Sequence, residues 1–274
     1  QPGGGIFIDA NSSPTIVNVS ISNCNVVGAP GGAIYIDSNS NPTFINVEIT
    51  SCSVDGANGG GIYLNDGGVA TFKWVRISDC QAIGGSGGAV FCNLNTTTTF
   101  EQCEFTDNFA GSFGGGLFVN DEGATELTEC IFTGNTASSH GGAVRLDVNC
   151  VSEVIYCDFI DNNSGGEGGG IACDTGNSIA IADSNFVNNN SNFGGALFCD
   201  PNCAGWVSGS LFVQNDANEE GGAIHFTDAN SFAIADCNLS FNTAIRGAAL
   251  YCVDSPTATI SDSIIKYNQA GGTS

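Results

Sequence analysis

A block of two glycines, a third small residue and an aliphatic residue recurs ten times along this chain. It begins at Gly3-Gly4-Gly5-Ile6, reads Gly31-Gly32-Ala33-Ile34 and Gly59-Gly60-Gly61-Ile62 in the next periods, and closes on a degenerate copy, Gly247-Ala248-Ala249-Leu250. The third residues of successive blocks (Gly5, Ala33, Gly61, Ala89, Gly116, Ala143, Gly170, Ala196, Ala223 and Ala249) stand 26 to 28 positions apart. A fixed period of this size marks a solenoid, in which each repeat buries its apolar face only by stacking on its neighbours.

Inside each period the apolar positions are columns. Ile6, Ile34 and Ile62 follow the block, and Ile8, Ile36 and Leu64 lie two residues further on, the alternation of a half-buried strand. Turn formers such as Asp9, Asp37 and Asn65 end that strand. A second inward series follows, Ile16, Val19, Ile21 and Cys24 in the first period and Leu127, Cys130, Phe132 and Asn135 in the fifth. Like residues at equal positions favour coil-on-coil stacking over a sandwich or barrel of many short strands. The expected fold is all-β: a right-handed single-stranded parallel β-helix of about ten coils, with about 27 residues and two or three short strands per coil. At ~4.8 Å per coil the rod is ~50 Å long. Residues 1–274 read as one continuous solenoid domain without obvious caps, since repeat features run from Gly3 to Tyr267-Asn268 and Gly271-Gly272.

Two columns have a physical reason visible in the sequence. The small block is expected where backbones of successive coils crowd at a tight corner. Asn108, Asn135, Asn162, Asn189, Asn215, Asn242 and Asn268 form an inward ladder whose amides can donate and accept in every coil. In the first three periods Cys24, Cys52 and Cys80 take that position, so something less polar must replace the amide there.

Charge excludes some functions. Five Lys and Arg stand against 28 Asp and Glu, a net charge of −23. Nucleic acid and anionic membranes need a basic footprint that this chain lacks. No apolar run is long enough to span a bilayer, so membrane insertion is not expected. The acidic balance suits solubility, cation-rich surroundings or a basic partner. Thirteen cysteines suggest an oxidising compartment, although buried thiols can simply fill core.

The pairing of Gly-Gly-Ala-aliphatic with Phe-x-x-Asn, as in Gly87-Gly88-Ala89-Val90 with Phe105-Thr106-Asp107-Asn108, resembles the repeat of the chlamydial polymorphic outer-membrane proteins. It recurs at Phe132 to Asn135, Phe159 to Asn162, Phe186 to Asn189 and Phe212 to Asn215, while the first three periods carry Ile-x-x-Cys instead. The resemblance implies a surface-exposed β-helix, in that family an adhesin passenger of an autotransporter. Within residues 1–274 no segment reads as the membrane barrel or middle domain of that family.

Candidate sites are few. The column between the two core positions of the first strand includes Phe7, Tyr35, Tyr63, Phe91, Phe118, Phe198 and Tyr251. If exposed, it is an aromatic stripe for a protein or glycan partner; covered, it is a stabilising ladder. Its remaining members are Arg145, Ala172 and His225. Cys150 and Cys203 lie in turns and are the better disulfide candidates, with Cys199 a further partner for Cys203; the column cysteines read as buried thiols. Strand-end acids Asp9, Asp37, Asp147, Asp174 and Asp200 could hold Ca²⁺, but turn capping is the simpler role and no cofactor is expected. Of six glycosylation sequons, Asn11 and Asn95 lie in turns and Asn18 and Asn238 point outward on strands, whereas Asn162 and Asn189 sit in the inward ladder.

No catalytic or metal constellation is evident. His140 and His225 are the only histidines, and the acids sit at turn positions. The expectation is therefore an extracellular, cell-surface structural protein, either part of a longer chain or self-associating end to end into a filament. The alternative is an adhesin acting through the aromatic stripe. A polysaccharide-active enzyme comes third.

Overall fold

The computed structural model describes residues 1–227, 231–254 and 257–271, so Gly272 lies outside the described residues. Each coil carries four strands, in the first coil Ile6–Ile8, Thr15–Val17, Ser20–Ser22 and Asn25–Val27. Corresponding strands stack into four parallel ten-stranded sheets, in strict order of coil. The described residues contain no helix. The result is an all-β right-handed parallel β-helix of ten coils.

The expectation of two or three strands per coil was too low, and the cause is local. The inward series Ile16, Val19, Ile21, Cys24 is not one strand: the steps of three enclose Asn18 and Asn23, whose φ angles are 55° and 56°. A left-handed residue turns the chain sharply without a loop. The same device recurs at Trp74, Gln102, Glu129 and Tyr156 on the second corner and at Asp79, Asp107 and Asp161 on the third. A first corner uses Asn11, Asn39, Asn95 and Asn149.

A corner interrupts the regular ladder and turns a backbone N–H toward the interior. The residue after each left-handed one answers it. At the third corner the N–H and Nδ2 of Asn135 both donate to Asn162 Oδ1, at 3.0 Å each, and Asn162 repeats this toward Asn189 at 3.1 and 3.0 Å. Each Nδ2 also donates to a carbonyl of the preceding coil, as Asn162 does to Phe132 O at 2.9 Å. At the second corner Cys130 N–H donates to Cys157 Sγ, Cys157 N–H to Ser184 Oγ and Ser184 N–H to Ser210 Oγ. At the first, Ser12 N–H donates to Ser40 Oγ and Cys150 N–H to Asn177 Oδ1. Small residues with an acceptor and a donor therefore line three corners, and the backbone N–H groups turned inward there stay paired.

The apolar core fills the space between. Phe44, Phe72 and Phe100 stack in the second sheet at 5.0 and 4.6 Å, and Phe105, Phe132, Phe159, Phe186 and Phe212 in the third at 4.4 to 5.1 Å. The bulk changes sheets at coil four, where Phe100 meets Phe105 edge-on at 5.5 Å. Aliphatic residues take the corresponding place in the other sheet (Ile49 and Ile77 beside the first stack, Leu127 and Val154 beside the second), and only coil four carries phenylalanine in both. The glycine block fits this geometry. Gly31 has φ 77°, and a Cβ on Gly32 would stand 2.0 Å from Gly60 O in the next coil.

Candidate functional site

The outward column of the first sheet holds the most unusual chemistry. Its rings stack in register: Phe7 on Tyr35 at 5.2 Å, Tyr35 on Tyr63 at 5.4 Å, Tyr63 on Phe91 at 5.2 Å and Phe91 on Phe118 at 4.9 Å. Exposure, however, is confined to the two ends of the column. Phe7 is 49% exposed, Tyr35, Tyr63 and Tyr251 are half-buried, and Phe91, Phe118 and Phe198 are buried. Of the two readings the sequence left open, the covered ladder holds for Phe91, Phe118 and Phe198, and the exposed stripe only for Phe7, Tyr35 and Tyr63 at one end and Tyr251 at the other.

The cover comes from the residue just before each glycine block. In coils two to four it is Pro30, Asn58 or Ser86; from coil five it is Phe113, His140, Glu167, Phe193, Glu220 and Arg246. These fold back over the column. Phe113 lies 6.2 Å from Phe118 and stacks on His140 at 5.4 Å, and Phe193 meets His225 at 5.8 Å. This switch from small to large residues is a sequence signal that column reading of the strands alone overlooks.

Beneath the cover Arg145 replaces an aromatic residue, and it is 6% exposed. Its Nη2 donates to Asp174 Oδ2 at 2.6 Å, Nη1 lies 3.6 Å from Glu167 Oε2, and the guanidinium sits 5.8 Å from the Phe113 ring centre. Nη1 is buried without a hydrogen bond. His140 accepts the Glu167 N–H at Nδ1, 3.1 Å away. Acids outnumber the single guanidinium here. Burial, with the charge of Asp200, pushes Glu167 up to about 7. Burial, with Asp174 and Asp121 close by, pushes Asp147 up to about 6. Burial opposes it, but the Thr175 N–H and Arg145 hold Asp174 below the usual carboxylate value. Burial and then Arg145 lower His140 to about 4, which keeps the ring neutral. Proton-holding carboxyls near neutrality can exchange protons, and such groups concentrate at functional sites. In this arrangement they also close an ion network that seals the column.

A second covered cluster surrounds His225, flanked edge-on by Phe198 and Tyr251 at 5.0 Å each. Both ring nitrogens are buried without hydrogen bonds, and burial lowers the ring to about 4. Glu220 bridges outward to Arg246.

The remaining candidates are placed as follows. Asp37 accepts from Asn65 Nδ2 at 3.0 Å and from Ser38 N–H at 2.8 Å, a turn-capping role. Among the described residues no three His, Cys, Asp or Glu side chains converge as a metal ion would require. Cys150 is a thiol turned to Asn120 O at 3.2 Å, with no bond to Cys203 in this structure, and burial raises it to about 12. Cys199 stands against Cys173 and Cys203, and Cys203 Sγ donates to Asp174 O. Asn11, Asn18 and Asn95 are exposed, each with left-handed backbone. Asn18 lies at a corner between strands, not on one. Asn238 is half-buried, with Oδ1 fully enclosed and unpartnered, which makes it a poorer acceptor than its strand position suggested. Asn162 and Asn189 are wholly buried.

Comparison with known proteins adds the family level. The family model described as right handed beta helix region matches residues 2–122 and 60–237. No curated protein and no solved structure matches the chain.

Proposed function

We propose, on the premise that the chain belongs to the right-handed β-helix family, that it is a structural protein of the cell exterior. In this reading it is a rigid acidic rod that extends coil on coil and stacks end to end into filaments. The observation that carries the reading is the uniformity of the junctions. All four sheets run through ten coils without a break in strand order. Any coil is therefore a template for the next, and a first coil docked on the tenth coil of another copy would extend the same parallel pairing of four strands. Such a head-to-tail contact continues without closing. The likeness to the chlamydial surface repeat supports the exterior location. No reaction is assigned, because the perturbed carboxyls around Arg145 are bound up in the network that covers the column.

Adhesion is the second reading, favoured by one observation: Phe7, Tyr35 and Tyr63 stack within reach of solvent at the end of the stripe that no large residue covers. Negative-stain electron microscopy at several protein concentrations separates the two. The filament reading expects threads with an axial repeat of ~50 Å. Isolated short rods at every concentration would overturn stacking, and loss of glycan or cell binding on Tyr35→Ala and Tyr63→Ala would then favour adhesion.

A further inference from the structure

The second sheet's outer face carries a column that is constant for four coils and then departs. It reads Thr15, Thr43, Thr71 and Thr99, followed by Glu126, Glu153, Ala180 and Trp206, each paired in register with the next. A threonine ladder is self-satisfying on a sheet face, so its replacement by two acids, a methyl and an indole calls for a reason. A groove of about 320 Å³ follows this stretch from Thr97 to Trp206.

Three features shape the groove. Glu126 and Glu153 are exposed and directly opposite, a destabilising like-charge pair, and neither joins an ion pair among the described residues. Nearby columns on the second and third sheets do the opposite: Lys73 meets Glu101 at 2.5 Å and Arg76 meets Glu104 at 3.2 Å. Ala180 leaves a gap between Glu153 and Trp206, which is 41% exposed. Gly205 brings the strand close to its neighbour, since a Cβ there would stand 1.8 Å from Ile179 O, and so fixes where the indole rises.

The spacing suits one kind of occupant. Two strand steps separate Glu153 from Trp206, ~10 Å. A cation within ~6 Å of an aromatic ring centre gains a cation–π attraction, and one within ~4 Å of a carboxylate forms an ion pair. The two distances sum to the gap that Ala180 leaves open. We infer that this groove is a docking site for an extended basic peptide segment, which places a lysine or arginine side chain over Ala180 between Trp206 and Glu153. A second basic side chain meets Glu126. The net charge of −23 adds long-range attraction for such a partner. The site does not depend on end-to-end stacking.

Trp74 and Trp206 are the two tryptophans, so the variant Trp74→Phe isolates the groove's own fluorescence. The probe is hexalysine, titrated into Trp74→Phe at low salt. The expected result is a saturable change in Trp206 emission, at least about tenfold weaker in affinity after Glu126→Gln/Glu153→Gln and weakened by salt. The control Glu122→Gln/Glu129→Gln removes the same charge from exposed corners outside the groove and should change affinity less than about twofold. Equal weakening by both pairs means non-specific attraction to an acidic chain and overturns the site. No change of Trp206 emission, or a response to a neutral oligosaccharide with none to hexalysine, overturns it as well.

Discussion

Replacing Asn162 by alanine tests whether the corner ladders hold the coils together. The amide is wholly buried and makes four bonds: it accepts from Asn135 N–H and Nδ2 and donates to Phe132 O and Asn189 Oδ1. After truncation, the Asn135 N–H loses its side-chain acceptor, while Asn135 Nδ2 keeps Phe105 O and Asn189 Oδ1 keeps the Asn162 N–H. A buried unsatisfied donor costs about 1–3 kcal/mol and each of the three other lost bonds about 1 kcal/mol net, so the sum is about 5 kcal/mol. Asn162→Cys should cost less, about 2 kcal/mol, because a thiol can accept and donate at this corner. The first coils do this already: Cys24 N–H donates to Cys52 Sγ, and Cys52 Sγ donates to Thr50 O. Equilibrium urea denaturation followed by circular dichroism gives both values. A loss below about 1 kcal/mol for alanine, or equal losses for the two variants, would refute the ladder as a source of stability.

Other expectations follow from the same geometry. Glu167 releases its proton at about 7 in the folded chain against an ordinary 4.5, so the folded state binds more protons between those values. Its stabilising contribution is complete below the ordinary value and is lost as pH rises through about 7; wild-type stability relative to Glu167→Gln should fall over that window in urea midpoints, and a flat difference would contradict the assignment. Gly142→Ala places a Cβ 2.3 Å from Gly169 O and should cost about 3 kcal/mol by the same assay, whereas a neutral result would show that the backbones can separate there. Phe113→Ala removes the cover from Phe118 and Arg145, with a loss of about 1 kcal/mol and a rise in binding of a hydrophobic dye. Unchanged dye binding would show that the column is sealed by other groups.

The period, the parallel stacking and the inward columns were legible because stacking forces like residues onto equal positions. The corners were legible too, had the steps of three from Ile16 to Val19 and from Ile21 to Cys24 been read as turns, since an alternating strand advances by two. The fate of the aromatic column was not legible from the column itself. It is decided by Phe113, His140, Glu167 and Phe193, which belong to the preceding turn and cover positions five residues later, as Phe113 covers Phe118. The cysteine count carries little weight for a related reason. Cys103, Cys130 and Cys157 are free thiols that donate to backbone carbonyls, such as Cys130 Sγ to Phe100 O at 3.4 Å, so their number says little about the redox compartment. The Arg145 network brings together residues from three coils, and only the stacking register shows that Asp147, Asp174 and Asp200 are neighbours.

Residue-resolved amide hydrogen exchange shows whether corner side chains bind coil to coil and make the rod one rigid body. The N–H groups of Asn108, Asn135, Asn162, Asn189 and Asn215 should be among the slowest in the chain, because each donates to a buried amide oxygen of the next coil. Exchange of these five at the rate of exposed surface amides would contradict such binding.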